Sequence, residues 1–366
     1  MSKEPPNPSI ERTRNGMPRM ALISFWAIRV LTGKIVLWRS VRATNHLGTT
    51  MRFVGADEIR SLLTFPILVA ALEAAHRRPK IEVQDALLGG EKGQYFVRHA
   101  VDSGRYMASK LITSFPANLA GGTLPAVQAI CVLFDGTNGR PLAVIDGTEV
   151  TYWRTAADSA LGAKFLAPLE PGTLLIVGAG EMSTRLVRAH RSVRPSLRRV
   201  LIWNRTKARA AQVAARLTDE GVESEPIEDL AAATRMADII STCTRSHEPL
   251  VLGANLNPGV HVDLVGGYTP GTRESDDEAA RRALIFVDRR ESAFHGVGDI
   301  LQPIASGAIQ RADVLGDLYD LVGGGVKGRR SRSDITLFKN AGGGHLDLMT
   351  AELIFQRLVG GSTFLA

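Results

Sequence analysis

Leu174-Leu175-Ile176-Val177-Gly178-Ala179-Gly180-Glu181-Met182-Ser183 is the stretch that decides the fold. Four apolar residues without polar alternation read as a short strand buried on both faces. Gly178 and Gly180 then allow a tight turn and a close backbone approach, and Glu181, Met182 and Ser183 open a helix running to about His190. The N-terminus of such a helix offers unpaired N–H donors and a partial positive charge, the setting that holds a dinucleotide pyrophosphate. Ser183 stands where a third glycine is usual, which loosens helix–strand packing and leaves the phosphate cradle intact. The bland alternative is a glycine turn that merely packs a strand against a helix.

Downstream, strands are predicted at Val200–Trp203, Asp238–Thr242, His261–Val265 and Ile285–Val287, with a helix from Lys207 to Leu217. Strands alternating with helices at this spacing predict a parallel, doubly wound α/β sheet of Rossmann type. The second strand ends in Asn204-Arg205-Thr206-Lys207. An NAD site usually places a carboxylate there for the ribose 2′-hydroxyl. Here no carboxylate repels a 2′-phosphate, and Arg205, with Thr206 and Lys207, can bind one. The reading is NADPH, with NADH as the second choice. Its bland rival makes Arg205 and Lys207 solvated charges at a helix start.

Upstream, Asp57-Glu58 leads a helical stretch to His76. Gln94–His99 and Tyr106–Ile112 read as strands. Ala126–Phe134 and Pro141–Ile145, joined by Asp135-Gly136-Thr137-Asn138-Gly139, predict a hairpin. Arg154-Thr155-Ala156-Ala157 opens an Ala-rich helix, with Thr155 as its N-cap. The tail from Asp299 reads as mostly helical. The texture therefore changes near residue 51 and again near 166, with 1–50 read as a leader.

At 22% charged and 45% hydrophobic, the composition excludes a disordered, collagen-like or disulfide-stapled chain. Cys131 and Cys243 make no disulfide framework, which suits a reducing, cytoplasmic setting. The net charge of +7 suggests a polyanionic partner, yet residues 1–50 hold eight cations and two carboxylates. The remainder is close to neutral, so no nucleic-acid partner is read from charge. In the leader, Arg29 and Lys34 interrupt the apolar segment from Met20 to Trp38, which argues against a membrane-spanning helix. The folded protein is expected to start at Met51, with 1–50 a disordered leader or a mis-assigned start.

The histidines are scattered without metal-ligand spacing, and no serine occupies a nucleophile elbow. Cations in apolar text stand out instead: Lys110 within Met107–Ile112, and Arg154 at the Ala-rich helix. Each also has a bland reading, a snorkelling surface lysine and a helix-start arginine.

Several phrases in one order then become specific. Lys110-Leu-Ile-Thr-Ser-Phe-Pro-Ala-Asn118, Leu133-Phe-Asp-Gly136, Ile145-Asp-Gly-Thr148, Arg154-Thr-Ala-Ala157, Val177-Gly-Ala-Gly180, Trp203-Asn-Arg-Thr206 and Val265-Gly-Gly267 with Pro270-Gly271 resemble the ornithine cyclodeaminase/mu-crystallin family. Asp263–Pro270, Arg273–Glu278, Gly298–Pro303 and Ile335–Lys339 resemble its Δ1-pyrroline-2-carboxylate/Δ1-piperideine-2-carboxylate reductases. The resemblance implies a homodimer, a small cyclic imino acid as substrate, and an α+β dimerisation and substrate domain over 51–165 plus 300–366 with a Rossmann domain over 166–299 inserted in it. It implies that Lys110 and Arg154 hold the substrate carboxylate, and that Thr242 and Asn340 contact the cofactor. A third family cation, an arginine upstream of the lysine, finds no clean match; Lys80 is the nearest candidate.

One departure is informative. Cyclodeaminases of this family carry a catalytic aspartate after Val-Gly-Gly, and here Tyr268 stands in that place. A phenol keeps its proton at neutral pH and cannot serve as that base. Reducing a preformed cyclic imine needs only carboxylate binding, a protonated imine and hydride delivery. The expectation is therefore a ketimine reductase forming L-proline or L-pipecolate. Water held by Lys110 is the first proton source considered, and Tyr268 the second. Asp299 is read as either near the mouth of the site or a structural cap. The rivals are an ornithine cyclodeaminase, an alanine-dehydrogenase-like enzyme and a non-catalytic NADPH-binding protein of mu-crystallin type.

Overall fold

The computed structural model describes residues 43–44, 50–90, 92–118 and 124–360. The apolar segment Met20–Trp38 and most of the expected leader lie outside the described residues. The first sheet comprises β1 (Ala43–Thr44), β2 (Thr50–Val54), β3 (Glu82–Gly90), β4 (Gly93–Asp102), β5 (Tyr106–Ser114), β6 (Val127–Asp135) and β7 (Pro141–Asp146). Their spatial order is β1-β2-β7-β6-β5-β4-β3. Only β2 with β7 runs parallel; β6 and β7 form the antiparallel hairpin expected from their turn. Ala43 and Thr44 pair with β2, so ordered structure begins before Met51.

Between β2 and β3 come two helices, α1 (Ala56–Leu62) and α2 (Phe65–His76), where one was expected. The chain bends by 83° between them. Leu63 and Thr64 are extended, and Pro66 lies in the first turn of α2. Proline lacks an N–H and fits a helix only there, so a new helix must start just before it. Among the described residues no single helix is long and apolar enough to cross a membrane.

The Ala-rich helix is longer than expected. It spans α3 (Gly147–Leu166), and its N-cap is Asp146, which accepts the Glu149 N–H at 2.8 Å. Thr155 is therefore no cap but an interior, buried residue, as is Arg154. Small residues let α3 thread between the two sheets: a Cβ on Gly162 would lie 2.8 Å from the Phe338 ring. That close approach fixes one sheet against the other.

The second sheet is wholly parallel, ordered β10-β9-β8-β11-β12-β15-β13-β14. It comprises β8 (Thr173–Val177), β9 (Arg199–Trp203), β10 (Glu223–Ile227), β11 (Ile239–Thr242), β12 (His261–Leu264), β13 (Leu284–Val287), β14 (Val314–Gly316) and β15 (Thr336–Lys339). Its crossovers carry α4 (Glu181–Val193), α5 (Lys207–Asp219), α6 (Leu230–Met236), α7 (Asp277–Arg282), α8 (Arg290–Ala293), α9 (Gly298–Ala305) and α10 (Leu318–Val322). The expected boundary at residue 299 does not hold. β14 and β15 belong to this sheet, β15 in its interior between β12 and β13. Only α11 (Gly344–Val359) returns to the first sheet, packing on its β5. The short run Thr336-Leu337-Phe338-Lys339 hid this strand, because it ends in a lysine.

Candidate active site

The C-terminal ends of β8, β9, β11, β12, β13 and β15 share one edge of the parallel sheet, where open α/β sheets bind their ligands. Gly178 leaves β8 at φ +126° and donates its N–H to Trp203 O at 2.8 Å. A Cβ there would lie 2.9 Å from both Cys243 O and Cys243 Sγ, so only glycine fits. Ala179 continues the turn, and Gly180 is the N-cap of α4. A Cβ on Gly180 would meet nothing within 4 Å, so open space lies over the helix N-terminus. Ser183, in the third glycine's place, is buried and turns its hydroxyl back to Gly180 O at 2.5 Å. Glu181 is exposed and Met182 half-buried in the same turn. These residues fit a dinucleotide: a bare turn, a tight strand end and the N-terminus of a long helix.

At the end of β9 the Asn204 amide donates to Thr206 O at 3.0 Å. Arg205 is exposed and makes no ion pair with the described residues. Lys207 pairs with Glu228 at 2.8 Å, so the positive charge left uncommitted here is that of Arg205. Thr242 is buried at the end of β11, and its hydroxyl donates to Glu274 Oε2 at 2.6 Å. Asn340, just after β15, donates to Thr155 O at 2.9 Å and Ser159 Oγ at 3.0 Å of α3, tying the parallel sheet to that helix.

The structure brings Lys110 and Arg154 together. Lys110 is 1% exposed in mid-β5, and its Nζ donates to Asp347 Oδ1 of α11 at 2.6 Å and to Thr151 Oγ1 of α3 at 3.0 Å. Arg154 Nε lies 3.3 Å from the same Asp347 oxygen. Among the described residues Asp347 Oδ2 has no hydrogen-bond partner. Burial and the charges of Arg154 and Arg98 push the Lys110 ammonium down to about 8, against the pull of Asp347. Burial would raise the Asp347 carboxyl, but Lys110, Arg154 and Arg98 hold it below its usual range.

Arg98 is the residue that sequence reading missed. Register supplies it: Arg98 on β4 sits directly opposite Lys110 on β5, on the same face. Two strands paired over nine residues bring together positions twelve apart in sequence, and only their register shows it. Lys80 does not join the cluster. Its ammonium pairs with buried Asp317 at 2.7 Å and lies 5.3 Å from the Tyr319 ring centre. Arg98 also has a carboxylate partner, Asp85 at 3.2 Å, but unlike Lys80 it stands directly opposite Lys110.

The Val265-Gly266-Gly267 loop is braced from below. Lys339 is fully buried and donates to Gly266 O at 2.6 Å and Asp299 Oδ2 at 3.0 Å. Glu274 accepts from Gly266 N at 2.6 Å, Thr244 N at 2.6 Å and Thr242 Oγ1 at 2.6 Å. Burial and the neighbouring Asp299 push the Glu274 carboxyl up to about 7. Asp299 is therefore a structural residue, accepting the Glu274 N–H at 2.7 Å. Tyr268, beyond this loop, is 54% exposed and makes no hydrogen bond or ion pair with the described residues. Among the described residues no cluster of His, Cys, Asp and Glu could hold a metal ion.

A glycine-turn dinucleotide cradle and a buried surplus of cations, joined through α3, define an oxidoreductase site for an anionic substrate. The family model for the ornithine cyclodeaminase/mu-crystallin family matches residues 71–362. A Δ1-pyrroline-2-carboxylate reductase from Paracoccus denitrificans is 42% identical over 311 residues, which is 84% of this chain and 98% of that protein. The solved Thermococcus litoralis Δ1-pyrroline-2-carboxylate reductase, in complex with NADH and L-proline, superposes with a TM-score of 0.79 at 28% identity, over 84% of this chain and 98% of that one. An archaeal alanine dehydrogenase dimer with bound NAD superposes equally, TM-score 0.79 at 27% identity, over 85% and 96%. The chain belongs to the ornithine cyclodeaminase/mu-crystallin family.

Proposed function

We propose that this chain is an NAD(P)H-dependent ketimine reductase that converts Δ1-pyrroline-2-carboxylate or Δ1-piperideine-2-carboxylate to L-proline or L-pipecolate. The observation that carries the reading is the pair Lys110 and Arg154 on one buried carboxylate, Asp347, with Arg98 opposite Lys110 on the neighbouring strand. Arg98 has its own carboxylate, Asp85 at 3.2 Å, so Lys110 and Arg154 share one internal anion, and that surplus suits a second, incoming carboxylate. The identity of the Paracoccus denitrificans reductase supports the choice of imine.

Lys110 and Arg154 hold the substrate carboxylate, and Arg98 adds charge from the neighbouring strand. The fixed strand and helix positions of these cations orient the imine carbon toward the dinucleotide edge of the parallel sheet. A bound nicotinamide supplies the hydride. The imine nitrogen needs a proton to make its carbon electrophilic, and the source proposed is the Lys110 ammonium acting through a water. Tyr268 is too open to solvent to be the first choice.

NADPH is the proposed donor, because Arg205 is uncommitted and no carboxylate occupies Asn204 or its neighbours to Lys207. A homodimer is proposed through the face of the first sheet opposite α3 and α11. That face presents Phe53, Leu88, Tyr95 and Ile130, each more than a third exposed. Such a patch marks an association surface. The unpaired Cys131 and Cys243 suit the cytoplasm.

The test is NADPH oxidation with the cyclic imine, with pyruvate plus ammonia, and with ornithine plus NADP⁺ run in the reverse sense. Turnover with the cyclic imine well above the others is expected. Preference for pyruvate plus ammonia, or release of ammonia from ornithine, defeats the reading. Tight NADPH binding without any turnover would favour a binding protein instead.

A further inference from the structure

Asp158 lies one helical turn beyond Arg154 on α3 and is wholly buried. Among the described residues neither of its carboxyl oxygens meets a hydrogen-bond partner. That isolation is costly for an ionised carboxylate and far less so for a neutral acid. The charged groups that face it are Arg154 on its own helix, Asp288 just after β13 and Asp263 on β12. Asp263 is engaged by Ser159, Ser241 and His190 at 2.9, 2.6 and 3.2 Å. Asp288 accepts backbone N–H groups of Arg289 at 2.7 Å and Gly342 at 2.6 Å. Burial raises the Asp288 carboxyl too, but these backbone donors and Arg154 oppose that, whereas Asp158 has no donor, so the pair keeps its negative charge on Asp288. Burial and the Asp288 charge push the Asp158 carboxyl well above its usual range.

Arg154 rests against the same loop: a Cβ on Gly342 would lie 2.5 Å from its Nη1. Its one ion pair runs through Nε to Asp347, and its terminal nitrogens bond to none of the described residues. An ionised Asp158 one turn away would be its natural partner.

We propose that Asp158 is a positioning residue for the substrate carboxylate: held as a neutral acid beside an ionised Asp288, it leaves the Arg154 guanidinium uncommitted for the incoming anion. The choice of anion rests on the imino-acid reading above; the proton on Asp158 does not.

The test uses the full-length protein and pyrrole-2-carboxylate, a planar carboxylate that cannot be reduced as an imine, titrated by calorimetry. Asp288→Asn should weaken its binding about tenfold, because Asp158 then ionises and pairs with Arg154. Adding Asp158→Asn to that variant should restore affinity to within about threefold of the wild type. A double variant as weak as Asp288→Asn alone overturns the proposal, since structural damage at Asp288 is not repaired by a second substitution. In the infrared, the wild type above pH 8, where Glu274 is ionised, should show the carbonyl band of a buried carboxylic acid, lost in Asp158→Asn. No lost band overturns the proposal even where Asp288→Asn fails to fold. Imine turnover with no such band leaves the proposed reaction standing and removes the role of Asp158. The band without any binding or turnover removes the reaction, and the positioning role with it.

Discussion

Lys110 and Lys339 are both fully buried lysines on strands, each held by an aspartate, at 2.6 and 3.0 Å. Their surroundings differ in balance. Around Lys339 the partners close on themselves: Gly266 O, Asp299, then Glu274 with Thr242, Thr244 and two backbone N–H groups. Around Lys110 the cations exceed the anions even with Asp85 beside Arg98, and among the described residues Asp347 Oδ2 and Arg154 Nε lack hydrogen-bond partners. A closed network holds a loop in place. An unbalanced one stores binding capacity, since an incoming carboxylate meets charges already stripped of water.

The comparison breaks most visibly at Lys339. Lys339→Met leaves Asp299 buried and unpaired, which should cost about 3–5 kcal/mol of stability. Urea unfolding checks it, and a loss under about 1 kcal/mol would mean the network is slack. Lys110→Met, by contrast, should reduce kcat/KM for the cyclic imine by about 100-fold or more while the protein stays folded. The pH profile carries the same signature. The carboxylate needs the charged lysine, whose pKa is pushed down to about 8, so kcat/KM should be level below that pH and fall as pH rises through it. Lys110→Arg keeps its charge and should lose that alkaline fall.

Arg98→Met sharpens the comparison, since Arg98 faces the cluster from one strand over and its side chain is 15% exposed. KM for the imine should rise about tenfold with little change in kcat, the mark of lost ground-state binding. Unchanged KM would return the third place to another cation. The smallest effect is expected at the exposed Arg205. Arg205→Ser should raise KM for NADPH about fivefold and leave that for NADH nearly untouched. Equal effects on both cofactors would remove the 2′-phosphate contact.

The two halves of the molecule were unequally legible. In the parallel sheet, strand, glycine turn and helix follow one another within Leu174–Val193, so local pattern identifies the cradle. The residue order there is itself the geometry. β15 escaped because four residues ending in a lysine resemble nothing in isolation, and its place between β12 and β13 is a matter of crossover. The break between α1 and α2 was readable from Pro66, and the cap at Asp146 was masked by the better helix formers after it. In the first sheet, Lys110 and Arg154 stood out as cations in apolar text, but nothing local joined them.

The amino-acid sequence by itself determined the fold class, the dinucleotide turn, the absence of a carboxylate from Asn204 to Lys207 and the two main cations. Those are properties of contiguous residues, where periodicity and side-chain chemistry act over a few ångströms of chain. Tertiary structure alone decided that Arg98, and not Lys80, stands beside Lys110, that Lys110 and Arg154 share Asp347, and that among the described residues Asp158 sits unpartnered one turn from Arg154. Each depends on strand register or on helices packed from distant parts of the chain. Burial, which sets what a charge there costs and therefore what it can bind, exists only once those parts have met.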